Sequence, residues 1–123
     1  MSAPTYDDAH VMLQLARWGA ESRLNKATRF VWGEKYIDDY QEFIKKYPRG
    51  TKEYAYVLQV CGWYESLGAL WVNNLLNEKL IDDWVLVSSI WERVKGFALG
   101  QRERMGDARI LEHFEALAIK QSQ

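Results

Sequence analysis

Two prolines, Pro4 and Pro48, are the only ones in 123 residues, and on both sides of Pro48 the apolar residues return every three or four positions. Proline interrupts helices, and a 3.6-residue period marks one face of a helix. The chain is therefore free to be helical over nearly its whole length. From about Tyr6 to Trp32, the residues Ala9, Leu13, Ala16, Ala20, Leu24, Ala27 and Val31 form one stripe. The spacing predicts a single long helix whose small side chains, with Gly19, let another helix approach closely. Thr5, Asp7 or Asp8 can cap its start and Gly33 its end. A short helix is expected from about Tyr36 to Tyr47, stopped by Pro48 and Gly50.

After a possible Thr51 cap, the segment from Lys52 to Leu76 is apolar on most sides, the pattern of a central helix. Gly62 and Gly68 within it predict close helix crossings. Asp82 or Asp83 then predicts the start of a fourth helix, from about Trp84 to Met105, with Val87, Trp91, Val94, Ala98 and Met105 inward. Gly106-Asp107 reads as a stop followed by a new start. The segment from Ala108 to Lys120 places Ile110, Leu111, Phe114, Leu117 and Ala118 on one side. The expected fold is all-α, four long helices plus one short helix in an antiparallel helical bundle, one domain over residues 1–123.

Charge excludes several function classes. Sixteen Lys and Arg against seventeen Asp and Glu leave a net charge of −1. A nucleic-acid or anionic-membrane binder normally carries a clear basic excess, so neither is expected. The N-terminal residues lack the basic and apolar regions of a secretory signal, and no run approaches the length of a transmembrane helix. A cytoplasmic location is the resulting expectation. One cysteine, Cys61, excludes an internal disulfide and a cysteine-rich zinc site. Six tryptophans are many for this length. Trp71 and Trp91 are expected in the core, and Trp18, Trp32, Trp63 and Trp84 at the rim or in a second interface. A symmetric dimer would bury the excess.

The chemistry-bearing residues are sparse. Asp7-x-x-His10 has metal-ligand spacing, and His113 is flanked by Glu112 and Glu115. A di-iron bundle needs Glu-x-x-His on two helices, and neither copy is present. No metal and no cofactor is expected. Glycine-rich phosphate loops are missing, Ser88 and Ser89 lack a nucleophile-elbow context, and Cys61 falls on an apolar stripe where a thiol is inert. The basic residues from Arg93 to Arg109 are diluted by Glu92, Glu103 and Asp107 and read as a solvated helix end. Glu65 stands apart, because it lies in the stripe Cys61–Gly68–Val72. A buried carboxylate needs a cationic or hydrogen-bonding partner. Arg102 and Arg23 are the candidates, and the expected arrangement is a buried Glu65–Arg102 pair.

From Trp63-Tyr64-Glu65-Ser66-Leu67-Gly68, through Leu80-Ile81-Asp82, Trp91-Glu92 and Arg102, to His113-Phe114-Glu115-Ala116-Leu117-Ala118, the chain resembles an uncharacterised small helical domain of bacteria and archaea. The resemblance spans about residues 63–118. It implies an all-α fold, places Glu65, Trp91 and Arg102 among the recurrent residues, and implies no activity. The expected function is a non-enzymatic protein-interaction module that self-associates, with surplus Trp and Tyr as anchors. The alternative is a small-molecule binder or enzyme with a pocket between helices around Glu65, Arg102 and Trp91.

Overall fold

The computed structural model describes residues 2–123, and it is an all-helical bundle. Among the described residues seven helices follow one another: α1 (Tyr6–Glu21), α2 (Leu24–Trp32), α3 (Tyr40–Lys46), α4 (Lys52–Val72), α5 (Glu78–Trp84), α6 (Val87–Met105) and α7 (Glu112–Gln121). The central helix is α4, packed between α2 and α7, while α6 lies against α7 and α3. Its buried residues Tyr54, Val57, Val60, Cys61, Trp63, Leu67 and Gly68 cover more than one face, as a helix surrounded by neighbours requires.

The first expected helix is two. Ser22 turns its hydroxyl back onto the carbonyls of Trp18 and Gly19, and Arg23 takes a left-handed conformation with φ of 60°. This breaks the register. On α2, Ala27 and Val31 stay buried as the stripe predicts. On α1 the stripe faces outward, with Leu13, Ala16 and Ala20 exposed, and the core takes Leu15 and Gly19 instead. Gly19 lies under the indole of Trp63, whose N–H donates to the Leu15 carbonyl at 3.1 Å. Trp63 is therefore a core anchor rather than a rim residue, and Trp71 is half-buried rather than central. Trp18 and Trp32 are exposed and Trp91 is buried, as the spacing predicted.

The fourth expected helix forms as α6, and a further short helix, α5, occupies the stretch where only its cap was expected. Asn77 caps α5 through the Leu80 N–H, so Asp82 and Asp83 lie inside that helix, and α6 begins at Val87. Along α6, Gly96 and Gly100 form a four-residue-spaced track into which the preceding chain fits. A side chain at Gly96 would strike the Asp38 carbonyl, and one at Gly100 would lie inside the Tyr40 ring. Tyr40, Phe43, Tyr54 and Phe97 pack edge-on and tilted there, with ring centroids 5.4–6.4 Å apart. Gln101, the buried polar residue of this core, accepts from the Tyr40 hydroxyl at 2.8 Å and pairs with Tyr54 at 3.0 Å. The network satisfies polar atoms that would otherwise be stranded. Gly106 ends α6 in the left-handed conformation, as expected of a helix stop. Asp107 caps only a turn, through the Arg109 N–H, and the last helix starts four residues later than its spacing predicts, after Leu111 with φ of 60°.

Candidate functional site

The start of α7 has no cap of its own, because Leu111 carries no side-chain acceptor for the orphan amides of the first turn. The acceptor comes from α4. Oε1 of Glu65 receives the N–H groups of His113 at 3.0 Å and Phe114 at 2.9 Å, and Oε2 lies 2.7 Å from Nδ1 of His113. A carboxylate here only accepts, so the ring proton sits on Nδ1. One turn along α4, Gly68 lets the His113 carbonyl come close; a Cβ there would be 2.5 Å from that oxygen. Glu65 and Gly68 together clasp one residue of α7 by its amide, its ring and its carbonyl. The negative carboxylate also faces the positive end of the helix dipole.

The expected Glu65–Arg102 pair is not formed. Arg102 turns to the other side of α7, donating to the Ile110 carbonyl at 2.8 Å and to Glu115 at 3.0 Å, with its guanidinium 5.8 Å from the centre of the Trp91 ring. Arg23, the other candidate, is the exposed hinge between α1 and α2. Glu65 is half-buried, with 26 % of its side chain exposed, and is not sealed in the core. Sequence spacing identified the buried stripe but could not identify the partner, because the partner is a backbone 48 residues away.

Of the three residues singled out, Trp91 and Arg102 converge. Trp91 forms the floor of an open groove between α6 and α7, of about 600 Å³, with Leu99 and Ile119 on its edges and Glu92, Lys95 and Glu115 as its charged groups. Glu115 is held there by Arg102. Phe114 crosses Trp91 at 5.0 Å and stacks on Tyr64 at 5.2 Å, which fixes the floor. Glu65 is not part of this lining. Cys61 is enclosed, and burial pushes its thiol up to about 12, so it stays protonated and unreactive. Among the described residues no group of three or more potential ligands could hold a metal ion, and no helix is long and apolar enough to cross a membrane.

The largest unexpected feature is the outer side of α1. Tyr6 is 97 % exposed and Leu13 61 %, and Ala16 and Ala20 continue the same ridge. The signal was present in the sequence as a clean apolar stripe, and only its direction was illegible.

No curated protein and no solved structure matches the chain. A family model, Domain of unknown function (DUF4760), matches residues 4–121. The match includes the Glu65–His113 clasp, Trp91 and all seven helices of the described residues, and the chain belongs to this family.

Proposed function

We propose that the domain is a non-enzymatic interaction module that pairs with a second copy of itself through the outer face of α1. The observation that carries this reading is the periodic apolar ridge Tyr6–Ala9–Leu13–Ala16–Ala20, which the bundle leaves largely in water. Its period of three and four residues is that of a helix seam, and it runs for roughly 21 Å at 1.5 Å per residue. The ridge is complementary to itself when two copies run antiparallel about Leu13. The large Tyr6 then meets the small Ala20 of the other copy, and Leu13 meets Leu13. A twofold axis of this kind closes the assembly at two.

The ridge is short, so the dimer is weak and concentration-dependent. Light scattering across a concentration series is expected to show monomer passing to dimer, and Leu13→Glu is expected to abolish the passage while leaving the helical content unchanged. A strict monomer at millimolar concentration, or a dimer indifferent to Leu13→Glu, refutes the reading.

A second reading rests on the α6–α7 groove. Its aromatic floor at Trp91 and its Arg102-held Glu115 are the elements of a site for a small amphipathic ligand. Quenching or a blue shift of tryptophan emission on ligand addition, lost in Trp91→Leu, would favour it over self-pairing.

A further inference from the structure

The near-neutral net charge conceals a segregation. Residues 22–52 hold eight Lys and Arg against four carboxylates, while the rest of the chain holds eight against thirteen. Elsewhere six of the eight cations make ion pairs: Arg17, Lys79, Arg93, Lys95, Arg102 and Arg109. Among the described residues, none of the eight in 22–52 does. Two of the four carboxylates of that stretch are drawn away from them, while Glu34 and Glu42 stay exposed. Asp39 is used as the cap of α3, and Asp38 leans to Arg93 at 3.9 Å.

The fold gathers most of these cations at one end of the bundle. Phe30 of α2 packs on Tyr47 at 5.6 Å and on Tyr56 of α4 at 5.7 Å, and the Tyr47 hydroxyl donates to the Lys35 carbonyl at 3.1 Å. The end of α2, the end of α3 and the start of α4 therefore meet around one aromatic cluster. Arg29, Lys35, Lys45, Lys46, Arg49 and Lys52 surround it, all exposed. Lys45 and Lys46 lie in the last turn of α3, where the helix dipole favours cations. Arg49 and Lys52 flank the Thr51 cap of α4, where the dipole opposes them. Folding does not account for unpaired cations placed there.

We infer that this face docks on an anionic lipid surface. A predominantly basic face, diluted only by Glu34, Glu42 and Glu53, is disfavoured on the twofold axis of a dimer, because its cations would meet themselves. Pairing it with the acidic remainder of a second copy would be head-to-tail and would not close. Lysine predominates, and lysine is depleted in specific protein interfaces, whereas it suits the diffuse attraction of a charged bilayer. Trp32, 51 % exposed, sits at the end of α2 beside the patch, the residue type that settles at a membrane–water boundary. The attraction is local, since it decays within about 10 Å at moderate salt. The net charge of −1 therefore does not oppose it.

The test is co-sedimentation with phosphatidylcholine vesicles with and without roughly one third phosphatidylserine, at low and high salt. Binding is expected only with phosphatidylserine and is expected to fall steeply with salt. Reversing Lys45, Lys46 and Arg49 together to Glu is expected to reduce it by more than tenfold, with the circular dichroism spectrum unchanged. Should that triple variant fail to fold, the corresponding Gln variant is expected to reduce binding in the same direction. Lys120→Glu, on α7, is expected to leave it as it was. Absence of phosphatidylserine-dependent binding, an equal loss from Lys120→Glu, or tighter binding to a DNA duplex than to the vesicles overturns the inference.

Discussion

Replacing Glu65 by alanine removes the acceptor for two backbone amides and for the His113 ring at one stroke. Hydrogen bonds to a charged group contribute about 1.5–3 kcal/mol each, and loss of an ordinary helix cap costs about 0.5–2 kcal/mol. The side chain is 26 % exposed, so water replaces part of what is lost. A net destabilisation of about 3 kcal/mol follows, out of the roughly 5–15 kcal/mol that holds a domain of this kind together. Glu65→Gln keeps an acceptor oxygen for the two amides, but it loses the charge and sets an NH2 donor against the Nδ1–H of His113, so the ring must change tautomer and about 1–2 kcal/mol is expected. Urea unfolding measures the pair of values. For a chain of this length an unfolding entropy of about 2 cal/mol/K per residue converts the alanine effect into a fall of roughly 10 °C in Tm. Hydrogen exchange adds a local reading, since the His113 and Phe114 amides are expected to lose protection first. If alanine changes stability by less than about 0.5 kcal/mol, or if Gln is as damaging as Ala, the clasp is not what holds α7.

Two further outcomes follow from the same geometry. Gly68→Ala is expected to destabilise by about 1–3 kcal/mol, because its Cβ meets the His113 backbone carbonyl. Gly62→Ala, on the open side of the same helix with nothing within 4 Å, is expected to stabilise by about 0.5–1 kcal/mol, and thermal unfolding of the two variants should move in opposite directions. The third outcome concerns Asp8, which the Thr5 N–H holds below the usual carboxylate range, aided by the Thr5 hydroxyl and the Asn77 N–H. A carboxyl depressed in the folded state contributes stability above its unfolded pKa, and that contribution disappears as pH falls through its folded pKa. Fraying of α1 is therefore expected only well below about pH 4, and Asp8→Asn should remove that pH dependence in helix-resolved NMR.

The all-helical architecture was legible because it rests on local signals. Thr5 and Thr51 cap helices where expected, Pro48 follows the end of α3, and Gly33 and Gly106 end α2 and α6. What escaped were the features without a local signature. The Ser22–Arg23 break involves neither glycine nor proline at the bend, and it reversed the exposed side of α1 without altering its periodicity. The late start of α7 depends on Leu111 adopting a conformation that leucine disfavours. Glu65 stood out as a carboxylate in an apolar stripe, but its partner is a helix end, and helix ends are backbone groups that composition does not reveal. The Trp63 error has the same origin, since the indole N–H found a carbonyl of α1 exposed to it by Gly19. Net charge is silent in a different way, because a sum over residues carries no information on where they gather.

The borrowed cap of α7 also sets an order of events in folding. Ten residues are too few to hold a helix in isolation, and the first turn here lacks even a local acceptor. The segment is expected to stay coil until α4 presents Glu65, with capping and the packing of Phe114 against Trp91 and Tyr64 coupled to each other. Order in the C-terminal helix therefore reports on whether α4 has been built.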